Sequence, residues 1–415
     1  MNFNLNSNPQ MQEFLYEFLE LKPLTERNKK GNLSCDEATI TQYAEKYDIE
    51  FCKLLLNYRK LAKAQGTYIA DLRRNTFDDG KVHHDLWLNV AETYRSSSSD
   101  PNLQNQPKHG DILPGLPWKT IRKVFVQLNK DFLLGDVDYD GAEVKVSGML
   151  GDDPQLIEDL NHDMDMHSHW AIRLFGLKGY SYSEVKEKFG DNERFLAKNN
   201  FTFATLFGAG YPSVAAEMRK SEFYANYVRK AYNQRNIKTQ SWNQFYIDFS
   251  EHHIQECQNE LWSRYKIHKA WQKSLIDFYY KNGYVENPFG FRRRYPLSVN
   301  EIINYPIQST SFLLLLDSLI KIEEELVNNN WKSHLINQIH DSGKAYIYKP
   351  EIGDFIDMVN DKMVNKPELP WTNKVAMGTD WEFGKNWLDM KRVVEANSST
   401  NESIGIPRYY KQKEI

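Results

Sequence analysis

The chain has 415 residues, 41% apolar and 13% aromatic, enough for two or three packed parts and too rich for a disordered tail. Its 52 Lys and Arg against 56 Asp and Glu leave a net charge of −4, so a polyanion would have to be met by positive charge gathered locally. Cys35, Cys52 and Cys257 are widely spaced and odd in number, which argues against a disulfide framework or a zinc site and for a reducing compartment. No apolar run reaches the roughly 18 residues of a membrane span, and the first residues resemble neither a secretory signal nor a transit peptide. A cytoplasmic protein with no membrane partner is the expectation.

The first 70 or so residues read as helices. Pro9 suits a first helical position, ahead of a stripe of Phe14, Leu15, Phe18 and Leu19. A second helix opens near Ser34 and Asp36, and a third runs from Glu50 to Gln65 with Leu54, Leu55, Tyr58 and Leu61. Asp79-Gly80 is a hairpin signal, Val82 to Val90 is strand-like, and Ser96 to Pro107 is a polar loop. Phe132 to Asp138 is an apolar strand that ends in an acid. From Asp152 to about Asn282 the chain is mostly helical, and a long helix follows from Tyr305 to Val327. A hairpin closes the pattern: Leu335 to His340, a turn at Asp341-Ser342-Gly343, then Ala345 to Tyr348. This is an α+β chain with a sheet assembled from distant segments.

Asp138 and Asp341 both sit at the ends of strands. Taken alone, a strand-end aspartate is most often a turn residue. On adjacent strands, two carboxylates can bridge a pair of Mg²⁺ ions, one activating a hydroxyl and the other neutralising a leaving phosphate. Arg194 and Lys198 are four apart and share a helix face fit for a triphosphate. Phe203 and Phe207 are also four apart and suit a base or sugar, although a solvated basic pair and a core-facing aromatic pair are the commoner fates of such spacings.

These residues lie in segments that resemble, in order, the polymerase domain of family A DNA polymerases. LLLNYRKLAKAQGTYI is similar to the thumb-to-palm entry, and TYRSSSSDPNLQNQP to the stretch ending in PNLQNIP. DYDGAEVKV resembles motif A, DMHSHWAIRLFG the segment beyond it, and RFLAKNNFTFATLFGAG the fingers helix of motif B. NYPIQSTS, QIHDS (motif C) and the closing GKNW complete the series.

The resemblance implies a right-hand fold with an antiparallel palm sheet, helical fingers and a mostly helical thumb. It places the thumb at 1–75, the palm at 76–150 and 301–415, and the fingers at 151–300. It implies a DNA-directed DNA polymerase that extends a primer 3′-hydroxyl on primer-template DNA from deoxynucleoside triphosphates. Two Mg²⁺ ions, replaceable by Mn²⁺, would be held by Asp138, Asp341 and the backbone carbonyl of Tyr139. Arg194, Lys198 and His167 would hold the triphosphate, and Lys198 would protonate the leaving pyrophosphate. Phe203 would pack on the deoxyribose, while Glu143 and Phe207 would exclude a 2′-hydroxyl. Arg95, Asn102, Gln104, Asn105, Asn304, Gln308 and His340 would meet the primer-template or its terminus, and Arg292 and Arg293 the DNA backbone.

Several residues depart from the family pattern. Ser342 stands where motif C usually has Glu, Phe207 replaces a Tyr, and Asn300 falls where an Arg is usual. Lys198 and Phe203 are five apart instead of four, which on a regular helix turns the rings about 100° from the Arg194 face. A π-bulge between Ala197 and Phe203 would absorb the extra residue, with Asn199 in place of Lys198 the competing assignment. Arg27, Lys29 and Lys30 fall in the expected thumb tip, equally placed to meet duplex phosphates or plain solvent. The family's exonuclease motifs are not found in these residues. The chain is therefore expected to be an excised domain or a split polymerase, working with a separate 3′–5′ exonuclease subunit or a processivity factor, and the loose motif B and compact length point to a phage source. The alternative reading is a catalytically weak primer-template binding accessory of another replicase.

Overall fold

In the stretch FLLGDVDY, acidic side chains alternate with Val137 and Tyr139 after Gly135, so an extended chain there has one apolar and one acidic face. In the computed structural model this stretch is strand β1 (Phe132–Tyr139), the centre of a five-stranded antiparallel sheet. The structure describes residues 3–25, 27, 31–108, 110–162, 164–235, 240–366 and 368–397. The remaining strands are β2 (His334–Ile339), β3 (Ser342–Tyr348), β4 (Gly378–Gly384) and β5 (Lys391–Asn397), in the spatial order β5-β4-β1-β3-β2. Register sets Asp138 opposite Ser342 on one side and Asp380 on the other.

Beyond β1 the chain turns at Gly141, held at a φ of 61°, into helix α1 (Ala142–Gly151). Helix α2 (Met166–Phe175) begins where the Asp165 carboxylate accepts from the amides of His167 and Ser168. The longer helices are α3 (Trp242–Arg264), α4 (Lys266–Asn282), α5 (Val299–Asn328) and α6 (Ile352–Val364). Helix α5 starts well before the expected Tyr305. Ser298 and Glu301 form a capping box that nucleates it, and Pro306 is carried inside.

The apolar face of the sheet offers Val137, Tyr139, Trp381 and Phe383 to Leu315, Leu319 and Ile322 of α5 and to Phe355, Ile356 and Val359 of α6. Each such side chain contributes about 1.5–3 kcal/mol by leaving water. The period of two then leaves Asp136 and Asp138 on the opposite face. The hairpin turn differs from the expected one. It consists of His340 and Asp341, with His340 at a φ of 52°, while Ser342 and Gly343 already belong to β3. Gly343 serves packing: a Cβ there would lie 2.7 Å from Leu319 Cδ2, so its absence lets α5 approach the sheet.

A second core joins Trp170, Leu174, Phe201, Leu206, Tyr224, Ile254 and Leu261 in the helical part of the chain. The buried Asp159 carboxylate ties that part together, accepting from Arg264 Nε at 2.6 Å and from the Tyr265 hydroxyl at 2.8 Å. Burial alone would favour the protonated acid; these bonds overcome it and hold the Asp159 carboxyl below its usual range.

The chain divides into two compact units, one of Met1–Trp87, Ser97–Val126 and Asn386–Asp389, the other of Leu88–Ser96, Gln127–Lys385 and Met390–Ile415. All the labelled strands and helices lie in the second. In the first, Glu37–Lys46 starts at Asp36, whose side chain accepts from the Thr39 amide at 2.8 Å. Met11, Leu15, Ile40, Tyr43, Cys52 and Leu55 form its core. The helix Glu50–Lys63 buries Cys52 and Leu55 but leaves Leu54, Tyr58 and Leu61 exposed, so its inward face is one position away from the expected stripe. A second cluster gathers Leu72, Leu103, Ile112 and Ile121. Cys35, Cys52 and Cys257 are buried free thiols. Among the described residues, no helix is long and apolar enough to cross a membrane. Lys29 and Lys30 lie outside the described residues, while the Arg27 guanidinium donates to the Gly31 carbonyl at 2.7 Å.

Candidate active site

The acidic face of β1 and the β2–β3 turn bring Asp138 and Asp341 together. Asp138 reaches water at the surface of the sheet, yet protein surrounds it on its other sides. Desolvation, then the negative charges of Asp341 and Asp136, push its carboxyl well above the usual carboxylate range. The neighbouring acids are neutralised within the chain. Lys344 pairs with Asp136, and Arg392 bonds Asp380 at 2.5 Å. Among the described residues Asp138 itself forms no ion pair.

Arg95 enters this cluster from the segment before residue 97. Its guanidinium bonds Glu143 of α1 and stands 3.4 Å from Asp341 Oδ1. Burial raises the Glu143 carboxyl, with Arg95 opposing and Asp341 reinforcing the rise. Ser96 donates to Gln338 Oε1, and Gln338 Nε2 donates to the His340 carbonyl at 2.5 Å, fixing the approach of Arg95 to the turn.

A cationic and aromatic group stands on the helical side. The expected irregularity is present: Ala197–Thr202 forms a π-helical turn, followed by a short α-helix at Phe203–Leu206. The wider turn puts the Lys198 ammonium 5.6 Å from the centre of the Phe203 ring despite the five-residue spacing. Asn199, the competing candidate, is exposed and spends its amide on the Phe195 carbonyl at 3.1 Å. Phe203 and Phe207 stack with centroids 5.8 Å apart and planes 8° from parallel, and His167 meets Phe203 edge-on at 5.2 Å.

Arg194 is held in place by Asp165 and Ser168, its Nε lying 3.1 Å from Asp165 Oδ2 and 3.1 Å from Ser168 Oγ. Asp165 thus caps α2 and orients Arg194, a role that sequence reading missed; an acid immediately before the helix was the available signal. Burial, then Arg194, lower the Lys198 pKa, with Asp140 and Asp138 near enough to resist. Burial, followed by the charges of Lys198 and Arg194, holds His167 neutral with a pKa of about 4. Among the described residues, no carboxylate forms an ion pair with Lys198.

The remaining expected contacts are distributed differently. Asn304 and Gln308 share one half-buried face of α5. His340 is exposed in the hairpin turn. Asn102, Gln104 and Asn105 belong to the other compact unit, where Asn102 Oδ1 accepts from the Asn105 amide at 3.1 Å and Gln104 is buried. Arg292 pairs with Glu286, and Arg293 is nearly enclosed, bonding Glu92 and, at 2.9 Å, Glu301. Their charges are met inside the chain. Sequence spacing could not show this, because the partners lie on other elements.

Three of the candidate site residues carry buried polar atoms without partners, as do residues elsewhere in the chain. His167 Nδ1, Arg95 Nε and Asn304 Oδ1 are enclosed and unsatisfied among the described residues. Buried polar groups are ordinarily paired, so three such atoms on candidate site residues suit a ligand. Among the described residues no group of three or more His, Cys, Asp or Glu is arranged to hold a metal ion. Two carboxylates still fit Mg²⁺, which commonly takes one or two protein carboxylates and completes its shell with phosphate and water oxygens. An acid pair, a group of cations and stacked rings are components of a phosphoryl-transfer site.

Comparison with known proteins agrees with that class. The family model for DNA polymerase family A matches residues 1–389. The chain belongs to that family. DNA polymerase I of Lactococcus lactis subsp. lactis (strain IL1403) is 28% identical over 396 residues, covering 94% of this chain and 40% of that protein. DNA polymerase I of Bacillus subtilis (strain 168) is 26% identical over 390 residues, with the same coverage of 94% and 40%. The chain thus spans about two fifths of the length of these curated relatives, which are bacterial. A solved structure of the POL domain of Pol1 from M. smegmatis, in complex with DNA primer-template and dNTP, aligns with a TM-score of 0.70 at 22% identity, over 93% of this chain and 61% of that one. The α+β fold is that of a family A polymerase domain.

Proposed function

We propose that this chain performs template-directed DNA synthesis, extending a primer 3′-hydroxyl with deoxynucleoside triphosphates. The observation that carries the reading is the convergence of Asp138 and Asp341 at one end of the sheet, in a family A chain whose π-helical turn keeps Lys198 beside Phe203. Asp138 and Asp341, with the Tyr139 carbonyl, would hold two Mg²⁺ ions, for which Mn²⁺ could stand in. Bound there, the ions supply charge to activate the primer hydroxyl and to offset the leaving pyrophosphate.

The chain's own residues do the rest. Arg194, oriented by Asp165, binds triphosphate oxygens as a fixed fork. Lys198, with no carboxylate partner among the described residues, binds the same group and delivers its proton from Nζ to the leaving pyrophosphate. His167, neutral at physiological pH, donates a hydrogen bond without adding charge. Phe203 packs on the deoxyribose, and Glu143, beside Phe207, excludes a 2′-hydroxyl. Asn304, Gln308, His340 and Arg95 meet the primer-template near its end. There the minor groove presents acceptors at similar positions on every pair, so such contacts test pair shape more than sequence. The hand assignment places the thumb at 1–75, the palm at 76–150 and 301–415, and the fingers at 151–300, with proofreading left to a separate exonuclease.

A gel-based assay with a 5′-labelled primer-template, Mg²⁺ and four deoxynucleotides should show extension to the end of the template. Tight primer-template binding without extension would instead make the chain a binding module that serves another polymerase.

A further inference from the structure

We infer that Arg95 is an internal counter-ion for Asp341 that is surrendered when primer-template binds, so that DNA binding and metal binding are coupled through one guanidinium. The inference rests on the reading of Asp138 and Asp341 as cation ligands. The starting point is geometric. One terminal nitrogen of Arg95 serves two carboxylates, bonding Glu143 and standing 3.4 Å from Asp341 Oδ1. The side chain is only 28% exposed, so water screens this arrangement weakly. It is also held from behind, because Ser96 is bonded to Gln338 and Gln338 to the turn that carries Asp341.

Charge then makes the two states exclusive. Asp138 and Asp341 repel one another, and the guanidinium offsets part of that repulsion in the free protein. A divalent ion in contact with Asp341 would face the same guanidinium at a few ångströms, and like charges at that distance in a sheltered cleft repel strongly. Arg95 must therefore move off Asp341 for the ion to bind well.

Its other donor shows what can draw it away. Arg95 Nε is buried with no partner among the described residues, so the observed position leaves a donor unsatisfied. Minor-groove acceptors of a terminal base pair can satisfy that donor and compete for the guanidinium. Primer-template would then free Asp341 as it binds, and by linkage the metal would strengthen DNA binding by the same factor. Metal would load fully only where a primer end is in place.

The test is Mn²⁺ binding followed by electron paramagnetic resonance on the whole chain without nucleotide, for wild type, Arg95→Met, Arg95→Gln and Asp341→Asn. In free protein, Arg95→Met should bind Mn²⁺ about 5- to 100-fold more tightly than wild type, the usual range of such couplings. Primer-template, measured against the same DNA alone, should tighten Mn²⁺ binding to wild type by a similar factor and leave Arg95→Met unchanged. Arg95→Gln provides the same comparison if the methionine variant fails to fold. Unchanged or weaker Mn²⁺ binding in the neutral variants, with Asp341→Asn weakened, would overturn the counter-ion role alone. Unchanged Mn²⁺ binding in Asp341→Asn would overturn the metal-site reading beneath it.

Discussion

Asp138→Asn and Asp341→Asn are each expected to abolish primer extension while primer-template binding persists. Asparagine keeps the size of the side chain and loses its charge, so the sheet and the β2–β3 turn should be preserved. What disappears is one of the two candidate metal-binding carboxylates, and Asp136 and Asp380 are already paired with Lys344 and Arg392. Loss of that carboxylate, in its proposed role as a metal ligand, would remove several kcal/mol of transition-state charge stabilisation, so the rate should fall by about 10³-fold or more. Single-nucleotide incorporation under excess enzyme measures this, with anisotropy of a labelled primer-template as the binding control. Extension by either variant at near wild-type rate would remove that residue from the metal site.

The second large effect is expected at Lys198. Its ammonium stands over Phe203 without an acidic partner among the described residues, and burial and Arg194 lower its pKa. A depressed pKa makes it a stronger acid, better able to give up a proton to pyrophosphate near neutral pH. Lys198→Leu should lower the maximal incorporation rate by about 10²–10⁴-fold, the range of general-acid contributions. The pH dependence has a definite sign. Only the protonated amine can donate, so the rate should fall as pH rises through the lowered pKa, and this limb should lie below the range of an ordinary lysine near 10.4. Lys198→Leu should lose the limb. A variant with reduced rate but an unchanged alkaline limb would assign the proton to another group and leave Lys198 as a charge only.

Much of the candidate site was proposed from the sequence because its parts are local. Asp138 ends an apolar strand and Asp341 lies in a hairpin turn, and each is marked by its immediate neighbours. The five-residue spacing from Lys198 to Phe203 was legible as well, since a regular helix cannot bring both to one face, and a π-helical turn is present. The hairpin turn was misplaced for a physical reason. Asp341-Ser342-Gly343 has turn chemistry, but Gly343 is required by the approach of Leu319 from α5, a contact made far away in sequence. The start of α5 was set too late because the capping box at Ser298 and Glu301, with Pro306 carried inside the helix, was not read.

What remained hidden were the partners of charged groups. Arg293 could not be seen to bond Glu92 and Glu301, nor Arg194 to be held by Asp165, because spacing reports a helix face and not the element packed against it. Arg95 is the sharpest case. Its place in the primer-template contact set came from resemblance, but its contacts with Glu143 and Asp341 depend on three segments meeting. Net charge was equally uninformative. The value of −4 averages an acid pair over the sheet with cations on the helical side, and only their distribution bears on function.

The most direct measurement is anomalous diffraction from crystals of the chain with primer-template, an incoming deoxynucleotide and Mn²⁺. The account predicts anomalous peaks between Asp138 and Asp341, within about 2 Å of their carboxylate oxygens and of the nucleotide phosphates, with Lys198 and Arg194 on the same triphosphate. A bound nucleotide whose phosphates lie away from both aspartates, with no peak between them, would contradict it.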